Sequence, residues 1–154
     1  MKKRLLPILF LLLSPLFAMG QTVPTRTEVI DLVKKVNGYW QEKNPKHGRA
    51  FWDNAAYHVG NIYAYRLTGD KAYLDYSRAW AEHNQWKGAK SDNKSNWKYS
   101  YGESDDFVLF GDWQICFQVY ADLYTLEGKK DEGRIRRARE VMEYEMSTPQ
   151  NDYW

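Results

Sequence analysis

Apolar residues recur at helical spacing in five stretches of this chain, and polar turn signals divide them. The clearest stretch runs from Asp106 to Gly128, where Ile115, Val119, Leu123 and Leu126 share one face, with Phe117, Tyr120 and Tyr124 beside them. Such a stripe predicts a helix packed along one side. Gly128 stands just past the last periodic position, where a glycine closes a helix. Upstream, Thr25-Arg26-Thr27-Glu28 has the form of a capping box. It predicts a helix to about Lys43 with Val29, Ile30, Val33, Val36 and Trp40 facing inward. Asn44-Pro45-Lys46-His47-Gly48 breaks that helix. A second is expected from about Asn54 to Thr68, lined by the small residues Ala55, Ala56, Gly60 and Ala64. Thr68-Gly69-Asp70 makes a turn, and Asp70 can cap a third helix to about Gln85. The polar residues 87–105 predict a long loop, which Trp97, Tyr99 and Tyr101 pack against something. The fifth helix is expected from about Lys130 to Met146, with Arg134, Arg136, Arg137 and Arg139 on a solvated outer face.

The second and third helices repeat as the fourth and fifth. A shift of 59 residues superposes Tyr65 on Tyr124, Leu67 on Leu126, Gly69 on Gly128, Lys71 on Lys130 and Arg78 on Arg137. Asp53 falls on Asp112 in the same register. The fold class is therefore all-α, built from helical hairpins, each an inner helix followed by a more charged outer one. That unit fits an (α/α) barrel or a solenoid, and a plain bundle is the simpler alternative.

Residues 1–20 are read apart from this domain. Lys2, Lys3 and Arg4, the apolar run Leu5 to Phe17, and Ala18-Met19-Gly20 have the form of a secretory leader cleaved after Gly20. The apolar run is shorter than the roughly 20 residues a spanning helix needs. A periplasmic or secreted protein with no membrane anchor after cleavage is expected, its domain running over 21–154. Loss of the leader turns the formal net charge of +2 into about −1, so no basic excess points to nucleic acid. The single Cys116 has no partner for an internal disulfide and lies in the apolar stripe, where it reads as a small core residue.

Seven Trp and twelve Tyr serve packing first. In an exported protein, exposed rings near helix ends also suit stacking on sugars. Trp52, Trp97 and Tyr101 are the candidate sugar-binding residues, with core packing the competing role for each. Asp112, between Gly111 and Trp113 at the front of the strongest helix, also has two readings. It caps free N–H groups, or it is an acid at the mouth of a helical barrel.

Trp52-Asp53-Asn54-Ala55, Leu67-Thr68-Gly69-Asp70-Lys71-Ala72-Tyr73-Leu74-Asp75-Tyr76, Gly111-Asp112-Trp113-Gln114 and Tyr120-Ala121-Asp122-Leu123-Tyr124 together resemble glycoside hydrolases of families 88 and 105, more closely 105. These are the unsaturated glucuronyl and rhamnogalacturonyl hydrolases. The resemblance covers about residues 28–154. It implies an (α/α)6 barrel, an oligosaccharide substrate left by polysaccharide lyases, and release of a 4,5-unsaturated uronic acid by hydration of its vinyl ether. It implies no metal or cofactor, and it matches Asp112 to a family acid/base carboxylate. A second carboxylate is expected on a later inner helix, in a segment that would begin at Asp152-Tyr153-Trp154. Five helices against twelve lead us to expect the N-terminal part of such a barrel, inactive as it stands. Two other readings stand beside this one: a different α/α-barrel sugar enzyme, such as an epimerase or mannan hydrolase, and a non-enzymatic helical repeat that binds a glycan or partner.

Overall fold

The structure is a computed structural model that describes residues 23–149. The expected leader and the Asp152-Tyr153-Trp154 segment lie outside the described residues. Five α-helices occur among the described residues: α1 Arg26–Lys43, α2 Trp52–Thr68, α3 Lys71–His83, α4 Cys116–Leu126 and α5 Gly133–Ser147. Two short 3-10 turns, Lys94–Asn96 and Gly111–Trp113, lie between α3 and α4.

Capping chemistry sets most of the boundaries. The Thr25 hydroxyl accepts from Glu28 N, and the Glu28 carboxylate accepts from Thr25 N at 2.7 Å, which completes the capping box of α1. Asp70 Oδ1 accepts from Ala72 N at 3.0 Å and starts α3. Gly69 and Gly128, matched in the repeat, both adopt left-handed φ, 73° and 79°. A residue with a Cβ pays strain there; Gly69 is the C-cap of α2, and Gly128 stands one residue beyond Glu127, the C-cap of α4.

Packing bears out the inner and outer roles. α2 lies against α3 and α4, and α5 against α4. α2 and α4 run parallel: Phe51 meets Trp113 where they begin, and Arg66 donates to Asp122 at 2.6 Å further along. Between them Ala55, Ile62, Trp80, Cys116, Val119, Tyr120 and Leu123 form one buried core. The buried stripe of α4 is Cys116, Val119, Tyr120, Leu123 and Tyr124. Ile115 and Leu126, expected in it, are exposed at 40% and 36%. Burial pushes the Cys116 thiol up to about 12, in keeping with an inert core residue.

Two expectations are corrected. The inward face assigned to α1 is largely open: Val29 and Val36 are exposed, and Asn37 is the one buried residue of this helix. Leu32, Val33 and Val36 instead flank a groove of about 400 Å3 whose other wall is Ala56, Gly60 and Ala64 of α2. Periodicity shows that a helix has an apolar face without showing what covers it. The solvated basic face of α5 is also interrupted. Arg137 is only 5% exposed and donates to Asp92, to Ser91 O at 3.2 Å and to Glu140 at 3.3 Å. It straps the long loop to α5.

His58 of α2 is buried between Trp80 and Tyr76, with ring centroids 4.2 and 5.6 Å away. Burial, aided by nearby His47, lowers its pKa to about 3. The unfolded chain protonates this histidine near 6.5, so between those values the unfolded state binds more protons. Stability is then complete above about pH 6.5 and falls as the pH drops, by up to about 1.4 kcal/mol per pH unit. The urea midpoint should decline between pH 6.5 and 4.5, and His58→Phe should flatten that decline. An unchanged slope in the variant would remove His58 as its source.

Candidate active site

The parallel course of α2 and α4 brings their N-terminal ends together, and the loop from α3 folds over that end. The Phe51 ring meets Trp113 edge-on at 4.7 Å and Phe110 at 6.4 Å, and Tyr101 packs edge-on against Phe110 at 5.1 Å. Trp113 Nε1 donates to Gly102 O at 3.1 Å, tying the loop to the turn Gly111–Trp113. That turn is seated from below as well. Cys116 Sγ donates to Trp113 O at 3.2 Å, and a Cβ on Gly88 would stand 1.9 Å from the same oxygen. Only glycine permits this approach.

Asp112 sits in the turn and is partly exposed. It does not cap a helix. α4 begins four residues later with Ile115 at its N-cap, and neither the turn nor α4 has a side-chain cap hydrogen bond. Among the described residues the Asp112 carboxylate has no hydrogen-bond or ion-pair partner. The capping reading is therefore corrected: the chain enters α4 through a tight turn that satisfies its own N–H groups, with Trp113 N bonded to Phe110 O and Gln114 N to Gly111 O.

Asp53, its repeat mate, lies at the same end in the first turn of α2. It too is no N-cap, a place held by Phe51. Its Oδ1 accepts from Asn54 N at 2.8 Å and from Asn54 Nδ2 at 3.2 Å, and its Oδ2 is 4.0 Å from Arg49 Nη2. Arg49 also pairs with Glu103 of the loop. Sequence reasoning missed Arg49 and Glu103, because no local signal marks a pair formed across 54 positions.

The three candidate sugar-binding rings separate. Trp52 is 49% exposed and Tyr101 85% exposed, so both offer ring surface at this end. Trp97 is 6% exposed. Tyr144 meets it at 5.0 Å, Arg137 and Lys94 lie over its ring, and its Nε1 donates to Ser91 O at 2.9 Å. It takes the packing role and anchors the loop. No group of three or more His, Cys, Asp or Glu side chains is arranged as metal ligands among the described residues. No helix there is long and apolar enough to cross a membrane.

What the site offers is a carboxylate without a partner among the described residues, at the end where α2 and α4 begin, which also carries the exposed rings of Trp52 and Tyr101. The model of Glycosyl Hydrolase Family 88 matches residues 27–154 of this chain. A solved protein named as a polysaccharide lyase is 69% identical, with a TM-score of 0.80 over 85% of this chain and 36% of its own. A solved glycosyl hydrolase family 88 protein from Bacteroides vulgatus is 54% identical, with a TM-score of 0.80 over 85% of this chain and 37% of its own. The chain thus spans just over a third of the length of these solved relatives. No curated protein matches it.

Proposed function

The chain belongs to glycosyl hydrolase family 88, and from that premise we propose that the whole-length protein releases a 4,5-unsaturated uronic acid from oligosaccharides left by polysaccharide lyases. The observation that carries this reading is the Asp112 carboxylate at the end where the inner helices begin, without a partner among the described residues. The C4=C5 bond of such a sugar is a vinyl ether, because C5 also carries the ring oxygen. Asp112 gives a proton to C4, and the positive charge spreads over C5 and the ring oxygen. Water adds to C5 and returns a proton to the carboxylate. The hemiketal then opens by breaking the bond from C5 to the ring oxygen, which leaves a ketone at C5 and a hemiacetal at C1; the hemiacetal collapses to an aldehyde and releases the rest of the oligosaccharide as an alcohol. A carboxylate free of permanent hydrogen bonds suits such a two-way proton exchange, which positioned acid/base groups speed by about 10²–10⁴.

Rhamnogalacturonan-type pectin fragments are the substrates we favour. Trp52 and Tyr101 supply stacking surface, and the leader-like residues 1–20 support a periplasmic or secreted setting. A Trp52→Ala change should raise KM while the melting temperature holds. Trp97→Ala should instead lower the melting temperature, since it empties a packed site. Unfolding by the Trp52 change, or a KM effect alone from the Trp97 change, would reverse these roles.

The name of the 69% identical relative favours a second reading, elimination rather than hydration. One assay separates them, since a lyase creates the conjugated double bond and this hydrolase consumes it. On a lyase digest of pectin the uronate absorbance should fall with time. A rise on intact polysaccharide, with no fall on the digest, would replace hydration by elimination.

A further inference from the structure

The proton-transfer chemistry leaves one charged group at this mouth without a role. Arg49 stands just before α2 with its guanidinium 4.6 Å over the Phe51 ring. That ring in turn meets Trp113, the neighbour of Asp112. Arg49 Nη1 pairs with Glu103 from the loop, and Nη2 is 4.0 Å from Asp53. The side chains of Arg49, Asp53 and Glu103 are 40%, 48% and 58% exposed, so the cluster is open to solvent. The carboxylates of Asp53 and Glu103 thus lie against one guanidinium, and Asp112 stands at the same end of the molecule, in the turn before α4.

A uronate brings a further carboxylate. The acidic side chains at this end repel it unless a cation meets it, and a guanidinium matches a planar carboxylate through two parallel hydrogen bonds. The group already seated on Arg49, the Glu103 side chain, is chemically the same group. Ion pairs between exposed side chains are held weakly, so one carboxylate readily replaces another. Glu103 sits on the long loop beside Gly102, whose φ is 119°, whereas Asp53 is fixed on the first turn of α2.

We infer that Arg49 reads the carboxylate of the uronic acid, and that Glu103 occupies Arg49 until the sugar displaces it. Asp53 stays behind the guanidinium and holds it in place. The inference rests on the uronate substrate proposed above and assigns its recognition to a particular side chain.

The test uses the whole-length protein and two substitutions that should act in opposite directions. Arg49→Met should raise KM for an unsaturated uronyl disaccharide about tenfold, the cost of losing a charge-assisted hydrogen bond, with the change falling on KM more than on kcat. Arg49→Lys should recover part of the loss. Glu103→Gln should lower KM by about twofold, because the competitor is weakened. If the pair only held the loop, both substitutions would loosen the same contact and move KM the same way, and that result would overturn the inference. Binding without turnover supplies a second measure. The preference for galacturonate over galactose, read by calorimetric titration, should vanish in Arg49→Met at an unchanged melting temperature. A preference that survives in that variant, or is absent from the unmodified protein, overturns the inference even if hydrolysis is observed. An Arg49-dependent preference without hydrolysis sustains it and removes the proposed reaction instead.

Discussion

Asp112→Asn is expected to lower kcat on a lyase digest by about 10²–10⁴ and to leave the melting temperature within about 2 °C. The two halves of this result come from different parts of the structure. Its side chain accepts no N–H from the turn or from α4, so an amide in its place breaks no cap. A partly exposed substitution of that kind changes stability by about 0.5 kcal/mol or less. An amide cannot donate and recover a proton as a carboxylic acid does, so the chemical step loses its acid/base group. KM should change less than kcat, since the rings and Arg49 remain. Asp53→Asn is the control. Its carboxylate is hydrogen-bonded to Asn54 and faces Arg49, so its effect on turnover should be smaller. Near-normal turnover of Asp112→Asn at an unchanged melting temperature would take Asp112 off the catalytic list. Equal losses at both aspartates would make proton transfer a shared task.

The features that sequence disclosed at this site are the ones written locally. Thr25 with Glu28, Asp70 with Ala72, and Gly69 with Gly128 lie within a turn of what they bond or close. Their spacing alone therefore marks where α1 to α4 begin or end. The 59-residue repeat went further, because two hairpins that end alike also pack alike, and it placed Asp53 and Asp112 at one end before any coordinates. What stayed hidden depends on contacts across the chain. Trp97 looks like an exposed loop aromatic until Tyr144, 47 positions later, covers it. Arg137 looks solvated until the loop carbonyl of Ser91 reaches it. Asp112 has the neighbours of an N-cap, yet the tight turn before α4 displaces the helix start to Cys116. The resemblance to families 88 and 105 rests on local motifs too, and the family 88 model matches the chain over residues 27–154.

Trp113→Ala is expected to be the most destabilising single change at the site, by about 3–5 kcal/mol. Trp113 is 6% exposed and belongs to the second buried cluster with Phe51, Trp97, Val108 and Leu109. Truncation removes its edge contact with Phe51 and its Nε1 hydrogen bond to Gly102 O together. The cavity would open directly under the turn that carries Asp112. A protein of this size loses about 2–4 °C in melting temperature per kcal/mol, so a fall of about 6–20 °C is expected by calorimetry. Trp113→Phe divides the effect. It keeps most of the ring contact and leaves Gly102 O without its donor, which costs about 1–3 kcal/mol if that carbonyl stays buried. The loop would then be held at this point by Arg49–Glu103 and by Tyr101 against Phe110. Turnover should therefore fall further in Trp113→Phe than that loss of stability accounts for, because Asp112 and the loop lose their common anchor. If Trp113→Ala melts within 2 °C of the unmodified protein, the turn is supported from below by Gly88 and Cys116 alone, and Trp113 has no part in positioning Asp112.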